Sequence, residues 1–255
     1  MARFTIEIAG KRAAVSSLFD STRDYCRRYL TQEAPDFSVT VTRADLQFEQ
    51  AALLAEALEE GMKPRIFTDP FLDRAAVQRK VAEGLLDSGV LLFHGSTVAV
   101  DGKAYLFTAE CGTGKSTHTR LWRQVFGERA VMVNDDKPFL KITDSGVLAC
   151  GAPWSGKHGL DNNITVPLQG ICILRRGREN RIAPIGPEEA MEMLLKQSVP
   201  PTDPEKLPRY GSLADTLART VPLWQMACTK APEAAVIAHA AMSGAKEDLS
   251  CIENA

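Results

Sequence analysis

The sequence predicts an α/β protein: a mixed, largely antiparallel sheet with flanking helices around a phosphate-binding loop, preceded by a smaller N-terminal α/β region. Three observations predict it. Segments of period two alternate with segments of period 3.6 along the chain. The string TAECGTGKST (108–117) stands between a strand-like run and a helix-like run and nearly matches G-x-x-x-x-G-K-[ST]. The run that feeds it, KAYLFT (103–108), is joined to STVAV (96–100) by Asp101-Gly102, a tight-turn dipeptide. A β-hairpin therefore delivers the loop, whereas a parallel βαβ unit would need a crossover on both sides.

The first region is expected to span residues 1–88. RFTIEI (3–8) alternates like a strand. Residues 16–30 read as a helix with Leu18, Thr22, Tyr25, Cys26 and Tyr29 on one stripe. FSVTVT (37–42) is β-rich. Residues 47–60 read as a helix with Ala51, Leu54, Ala55 and Leu58 on one face. An irregular stretch, 61–72, carries Pro64 and Pro70. A second helix follows, with Val77, Val81 and Leu85 at i, i+4 and i+8. No chemical motif falls in this third of the chain.

A core is expected over 89–255. VLLF (90–93) is an apolar run that ends at His94, just before the hairpin. Residues 116–127 read as a helix with Leu121, Trp122, Val125 and Phe126 on one side. AVMV (130–133) is a buried-type strand ending at Asn134-Asp135-Asp136. FLKI (139–142) and VLAC (147–150) form a second hairpin across Asp144-Ser145-Gly146, and an irregular stretch covers 151–163. GICIL (170–174) and RIAPI (181–185) read as strands. Pro187 opens a helix to Gln197 at the N1 position it prefers. A proline-containing loop (199–208), a helix (210–219), the strand VPLWQMAC (221–228), a helix (232–242) and a polar tail complete the chain.

Composition narrows the classes of function. The 255 residues are 45% apolar and 24% charged, with a formal net charge of −2, which gives no global field to recruit nucleic acid. Arg175-Arg176-Gly177-Arg178 reads as a solvated hairpin tip. The six cysteines, at 26, 111, 150, 172, 228 and 251, form no C-x-x-C pair, so neither zinc nor a disulfide framework is expected. MARFTIEIAGKR lacks the apolar centre of a signal peptide, and no apolar run is long enough to span a membrane. A cytoplasmic protein with reduced thiols and no membrane partner is expected, and homo-oligomer formation is compatible with this sequence.

The candidate site begins with the loop. Successive backbone N–H groups and the positive end of a following helix cradle phosphate. Cys111, Gly112, Thr113, Gly114, Lys115, Ser116 and Thr117 supply that cradle, with Lys115 for the outer phosphates and the Ser116 hydroxyl for Mg²⁺. Ala109 stands at the pattern's first glycine, where it costs about 1–2 kcal/mol if φ is positive and nothing otherwise. Cys111 is either a tolerated small residue or a redox switch at a helix N-terminus. Asp135 and Asp136 suit metal handling and hydroxyl deprotonation; the alternative is a capped strand-end turn. His94 is returned by the hairpin toward the loop, whereas His118 is expected to cap or face solvent. In 151–163, Lys157 and His158 are candidates to bind an anionic substrate and Trp154 to cover it; the alternative is a surface loop anchored by Trp154.

HGSTVAVDGKAYLFTAECGTGKST followed by VMVNDD resembles the HPr serine kinase/phosphorylase family. The GTGKST core is similar to the loop of ATP-dependent phosphoenolpyruvate carboxykinases, which share that nucleotide-binding architecture. The motif Pro153-Trp154-x-Gly156-Lys157-His158 with a following Asn resembles HPr kinase-like proteins of bacteria. The resemblance covers roughly residues 90–185. It implies an ATP- and Mg²⁺-dependent kinase acting on a hydroxyl, with a serine or threonine of a peptide or protein as first choice and a small-molecule acceptor or a non-catalytic nucleotide-binding regulator as alternatives. By position it implies His94, Lys115 and Asp135 as catalytic, with Asp135 the base, and Ser116 with Asp136 as metal ligands; the two aspartates remain interchangeable on this basis. Ala109 replaces the family glycine, Thr117 stands where the family usually has an acid, and the family's second, Arg-Gly-containing signature is not present as such, so the resemblance does not by itself name HPr as the acceptor.

Overall fold

The computed structural model describes residues 1–59, 61 and 63–245; Cys251 and the polar tail lie outside the described residues. The chain separates into two compact units, Met1–Leu85 and Leu86–Ala255. Among the described residues, no helix is long and apolar enough to cross a membrane.

In the first unit, β1 (Ala2–Ile8) and β2 (Lys11–Ser17) form a hairpin. Its two-residue turn, Ala9-Gly10, has φ of 55° and 72°, the pair of positive angles a type I′ turn needs. This corrects the expected helix over 16–30. Residues 11–17 pair with β1 and bury Ala13, Val15 and Ser17 alternately, so the helix α1 is confined to Asp20–Tyr25. The signal was Ala-Gly after a strand-like run, which the helical stripe obscured. The short β3 (Leu30–Thr31) and β4 (Phe37–Thr40) complete a sheet of order β3-β1-β2-β4. Two long helices follow, α2 (Arg43–Glu59) and α3 (Asp69–Leu85). Arg79 of α3 binds Asp45 at 3.1 Å and Glu49 at 2.6 Å on α2. The fully buried Asp73 accepts the Leu18 amide and the Thr22 hydroxyl, so both of its oxygens have hydrogen-bond partners.

The second unit is built on a sheet of β5 (Val90–Leu92), β6 (Ser96–Val100), β7 (Lys103–Thr108), β8 (Ala130–Asn134), β9 (Phe139–Thr143), β10 (Gly146–Cys150), β11 (Thr165–Arg176), β12 (Arg181–Pro184) and β13 (Leu223–Cys228). The order is β5-β9-β10-β11-β7-β6-β8, with β13 also on β11 and β12 on β13. Among the described residues of this unit, only β11 makes parallel pairs, with β7 and with β13; the other strand pairings are antiparallel. The Asp101-Gly102 turn has φ of 50° and 76° and joins Val100 directly opposite Lys103.

Strand alternation sends side chains to two cores. Leu106, Ile171 and Ile173 pack with α5 (Pro187–Gln197) and α6 (Leu207–Thr220) on one face. Tyr105, Phe107, Cys172 and Leu174 pack with α4 (Lys115–Phe126) and α7 (Glu233–Ser243) on the other. The basic run after Leu174 is not the tip of a simple hairpin, because β13 lies between β11 and β12. Arg175 and Arg176 end β11 itself. Extending a strand through two arginines is possible at its exposed end, where side chains leave the core.

Candidate functional site

The loop leaves β7 through Ala109, which is fully buried in the core containing Phe107 and Leu121. Among the described non-glycine residues, positive φ occurs only at Ala9 and Asp101. Alanine at this position is therefore unstrained, and its methyl is part of the core. The glycines that matter are Gly112 and Gly114, with φ of 72° and 124°, angles that disfavour a side chain. Gly114 is also the N-cap of α4 and gives no side-chain cap, so the first-turn amides of that helix need acceptors from elsewhere. Lys115 Nζ donates to Ala109 O at 3.0 Å, folding the ammonium back over the loop. Arg176 Nη2 donates to Gly112 O at 2.7 Å and ties the loop to the end of β11.

The acidic side is fixed by Asn134, a residue the sequence displayed but that was not singled out. It is fully buried. Its Oδ1 accepts the amides of Asp136 at 2.8 Å and Lys137 at 2.6 Å, and its Nδ2 donates to Ala152 O and Trp154 O. One side chain thus shapes the Asp-Asp turn and pins the strap 151–163 across it. Gly151 is the second unanticipated feature: a Cβ there would lie 1.7 Å from Asn162 O, so only glycine lets the strap cross so closely. Gly156 N then donates to Asp135 Oδ1 at 2.7 Å. Trp154 is buried, edge-on to Phe139 at 6.3 Å between ring centroids, and does not line the cleft. It is the strap's anchor rather than its cover.

His94 sits where the peptide following β5 is held from two sides. Its carbonyl accepts the Thr108 hydroxyl, and the next amide, Gly95 N, donates to Asp136 O at 2.9 Å. His94 Nε2 lies 3.3 Å from Asp136 Oδ1. Burial pushes the Asp136 carboxyl upward, but the His94 hydrogen bond and the charges of Lys137 and Lys115 outweigh it, and the net shift is downward. Burial lowers the His94 pKa, with Lys137 and Lys115 adding to that and Asp136 opposing it. Asp135 is only 4% exposed, and burial raises its pKa against the pull of the Gly156 amide, with Asp136 adding to the rise. Two adjacent carboxyls are therefore driven apart, a pattern that suits a division of roles.

A cleft of about 670 Å³ gathers these groups. His94, Gly112, Gly114, Lys115, Ser116 and Asp136 line it, together with Thr117, Arg120, Arg123, Lys157, His158 and Leu160. Asp135 adjoins the lining residue Asp136 in the chain. Cys111 is exposed and borders neither described cavity. Thr113 faces a second cavity of about 410 Å³, which shares Gly114 and Thr117 with the first and reaches Arg176, Cys228 and Lys230. His118, expected to cap or face solvent, is instead buried: Trp122 Nε1 donates to its Nε2 at 3.1 Å, and burial lowers its pKa to about 3. It lies beneath the loop, at the wall of the second cavity.

Among the described residues there is no cluster of three or more His, Cys, Asp or Glu side chains able to hold a metal. The cleft offers two hydroxyls, of Ser116 and Thr117, and one carboxylate, Asp136. Such a sparse oxygen set fits Mg²⁺, which keeps water and takes phosphate oxygens as ligands, and does not fit a protein-caged ion such as zinc.

No protein-family model and no curated protein matches this chain. Among solved structures, the Hpr(Ser) kinase/phosphatase from Coxiella burnetii is similar over 55% of this chain and 88% of that one, at 14% identity and a TM-score of 0.31. The relationship is distant, and a likeness at this level assigns neither residues nor function to the chain.

Proposed function

We propose that the second unit is a phosphoryl-transfer enzyme that binds ATP with Mg²⁺ and passes the γ-phosphoryl group to a hydroxyl, of a serine or threonine in a peptide or protein. The observation that carries this reading is convergence: Lys115, Ser116, His94 and Asp136, from two loops and a helix start, line one cleft. Gly112 and Gly114 give the loop the backbone angles with which amides point at phosphate. The uncapped start of α4 supplies further donors. The second cavity, contiguous with the loop through Gly114 and Thr117, is where the nucleoside would extend.

In this reading Lys115 and the loop amides hold the phosphates in line with the acceptor, so positioning and electrostatics supply most of the catalysis. Ser116 and Asp136 would hold Mg²⁺, which neutralises phosphate charge when bound. His94 orients the Asp136 carboxylate through the 3.3 Å contact. Asp135 takes the hydroxyl proton: burial makes its carboxylate more basic than its neighbour. Turnover is then lost as pH falls through the raised Asp135 pKa.

The test is one variant read in two assays. Asp135→Asn should retain MgATP affinity in a calorimetric titration and lose turnover by about 10²–10⁴-fold. Full turnover in Asp135→Asn would remove Asp135 as the base.

A further inference from the structure

The cleft carries more positive charge than a nucleotide site of this design uses. Lys115, Arg120, Arg123 and Lys157 line it, with His158 beside them, against the single carboxylate of Asp136. Lys115 and the loop amides suffice for the phosphates in the proposed reading. Arg120 and Arg123 lie one and two turns along α4 from Ser116, about 6 and 10 Å from it along the helix axis. They share the Ser116 face, because i+4 and i+7 return to one stripe. Lys157 and His158 approach from the strap that crosses Asp135.

Among the described residues, Arg120, Arg123 and Lys157 are in none of the ion pairs. Within the same unit, Arg129, Arg181 and Arg219 each hold a carboxylate, of Asp101, Glu179 and Asp215. No described carboxylate pairs with Arg120, Arg123 or Lys157. Like charges gathered along a concave wall repel one another and raise the local concentration of anions. Arginine's planar fork suits carboxylate and phosphate in particular.

We infer that Arg120, Arg123, Lys157 and His158 form a second anion subsite, and that the acceptor is a hydroxyl compound carrying a carboxylate or phosphate close to the reacting hydroxyl. The inference rests on the phosphoryl-transfer reading and specifies its substrate class. Lys115 with the loop holds the donor, and the quartet holds the acceptor's anion so that its hydroxyl faces the Asp135–Asp136 turn.

Calorimetry on the full chain separates the two sites. The loop is first saturated with inorganic tripolyphosphate and Mg²⁺, and O-phospho-L-serine is then titrated. One further equivalent should bind. In the Arg120→Gln/Arg123→Gln double variant its affinity should fall by about tenfold or more, while tripolyphosphate binds as in the parent chain. No further equivalent, or an equal loss for both ligands in the variant, overturns the inference. Failure of tripolyphosphate to bind the parent chain would instead overturn the nucleotide reading, and this subsite with it.

Two acceptor pairs with labelled ATP identify the source of the anion: an Asp-Ser-Asp against an Asn-Ser-Asn peptide, and glycerate against glycerol. Preference for the charged member of either pair, lost in the double variant, supports the subsite. Equal turnover within both pairs, or turnover of neither charged member, counts against it.

Discussion

Arg79 in the first unit and Arg123 in the second are both partly covered arginines on helices, in opposite surroundings. Arg79 faces Asp45, Glu49 and Glu83, and Lys80 adds a 2.9 Å contact to Asp45. Arg123 faces a cleft with no described carboxylate to hold it. A charge matched inside its own unit fixes how helices pack. A charge held toward open space without a partner is available to something that arrives from outside. By that criterion the charges of Arg79 are spent on the first unit's own packing, and those of Arg123 remain open to a ligand of the second.

The comparison can be broken at its closed end first. Arg79→Met should destabilise the first unit by about 3 kcal/mol, since it strands the buried Glu49 carboxylate. Hydrogen exchange of the α2 and α3 amides reads this directly. Tryptophan fluorescence, which reports only the second unit because Trp122, Trp154 and Trp224 all lie there, should show that unit's own unfolding unchanged. A matching loss in both readouts would mean that the network is not local.

At the open end, Gly151→Ala forces the strap away from Asn162 O. Misplacing Gly156 and the Asp135 carboxylate should lower turnover by about a hundredfold while leaving nucleotide affinity intact. Unchanged kinetics would show that the strap's path is irrelevant to the site.

Acid should separate the units next. His118 is held to a pKa of about 3 by burial, below its unfolded value near 6.5. The unfolded chain takes up that proton first, so the second unit loses stability as pH falls from about 6.5 toward 3. Asp45 in the first unit is held at about 2: burial pushes it up, but Lys80 and Thr42 overcome that. Its contribution is complete above the ordinary value of 3.8 and disappears only as pH falls through about 2. A pH series of denaturant melts with His118→Gln and Asp45→Asn should flatten the two windows separately.

The smallest effect concerns the loop's irregular first position. Ala109→Gly should leave nucleotide affinity unchanged and cost about 1 kcal/mol of stability, because it frees the unfolded backbone and removes a buried methyl. Tighter nucleotide binding in this variant would show that alanine had strained the loop after all.

The α/β class, the antiparallel delivery of the loop and the helices α3, α4, α5 and α7 were legible in the sequence, because apolar periodicity and Asp-Gly or Pro signals coincide there. The hairpin at Ala9-Gly10 was hidden, since Leu18, Thr22 and Cys26 imitate a helical stripe that begins just after β2 and outruns the short α1. Of the candidate site, Lys115, Ser116 and the two aspartates could be named from local pattern. Their division could not: that Asp136 lines the cleft while Asp135 accepts the Gly156 amide depends on the strap, whose course is set by non-local contacts at Asn134 and Gly151. His118 was misplaced for a related reason, because its burial against Trp122 and Phe107 comes from packing of α4 on the sheet rather than from any neighbour in sequence.

The central claim is that the Lys115 loop and the Asp136 wall form one nucleotide cleft. Titrating MgATP into the parent chain and into Lys115→Ala tests it most directly. One equivalent should bind the parent, with affinity reduced about a hundredfold in the variant and the tryptophan-reported melt of the ligand-free protein unchanged. Equal MgATP affinity in both chains would contradict the account.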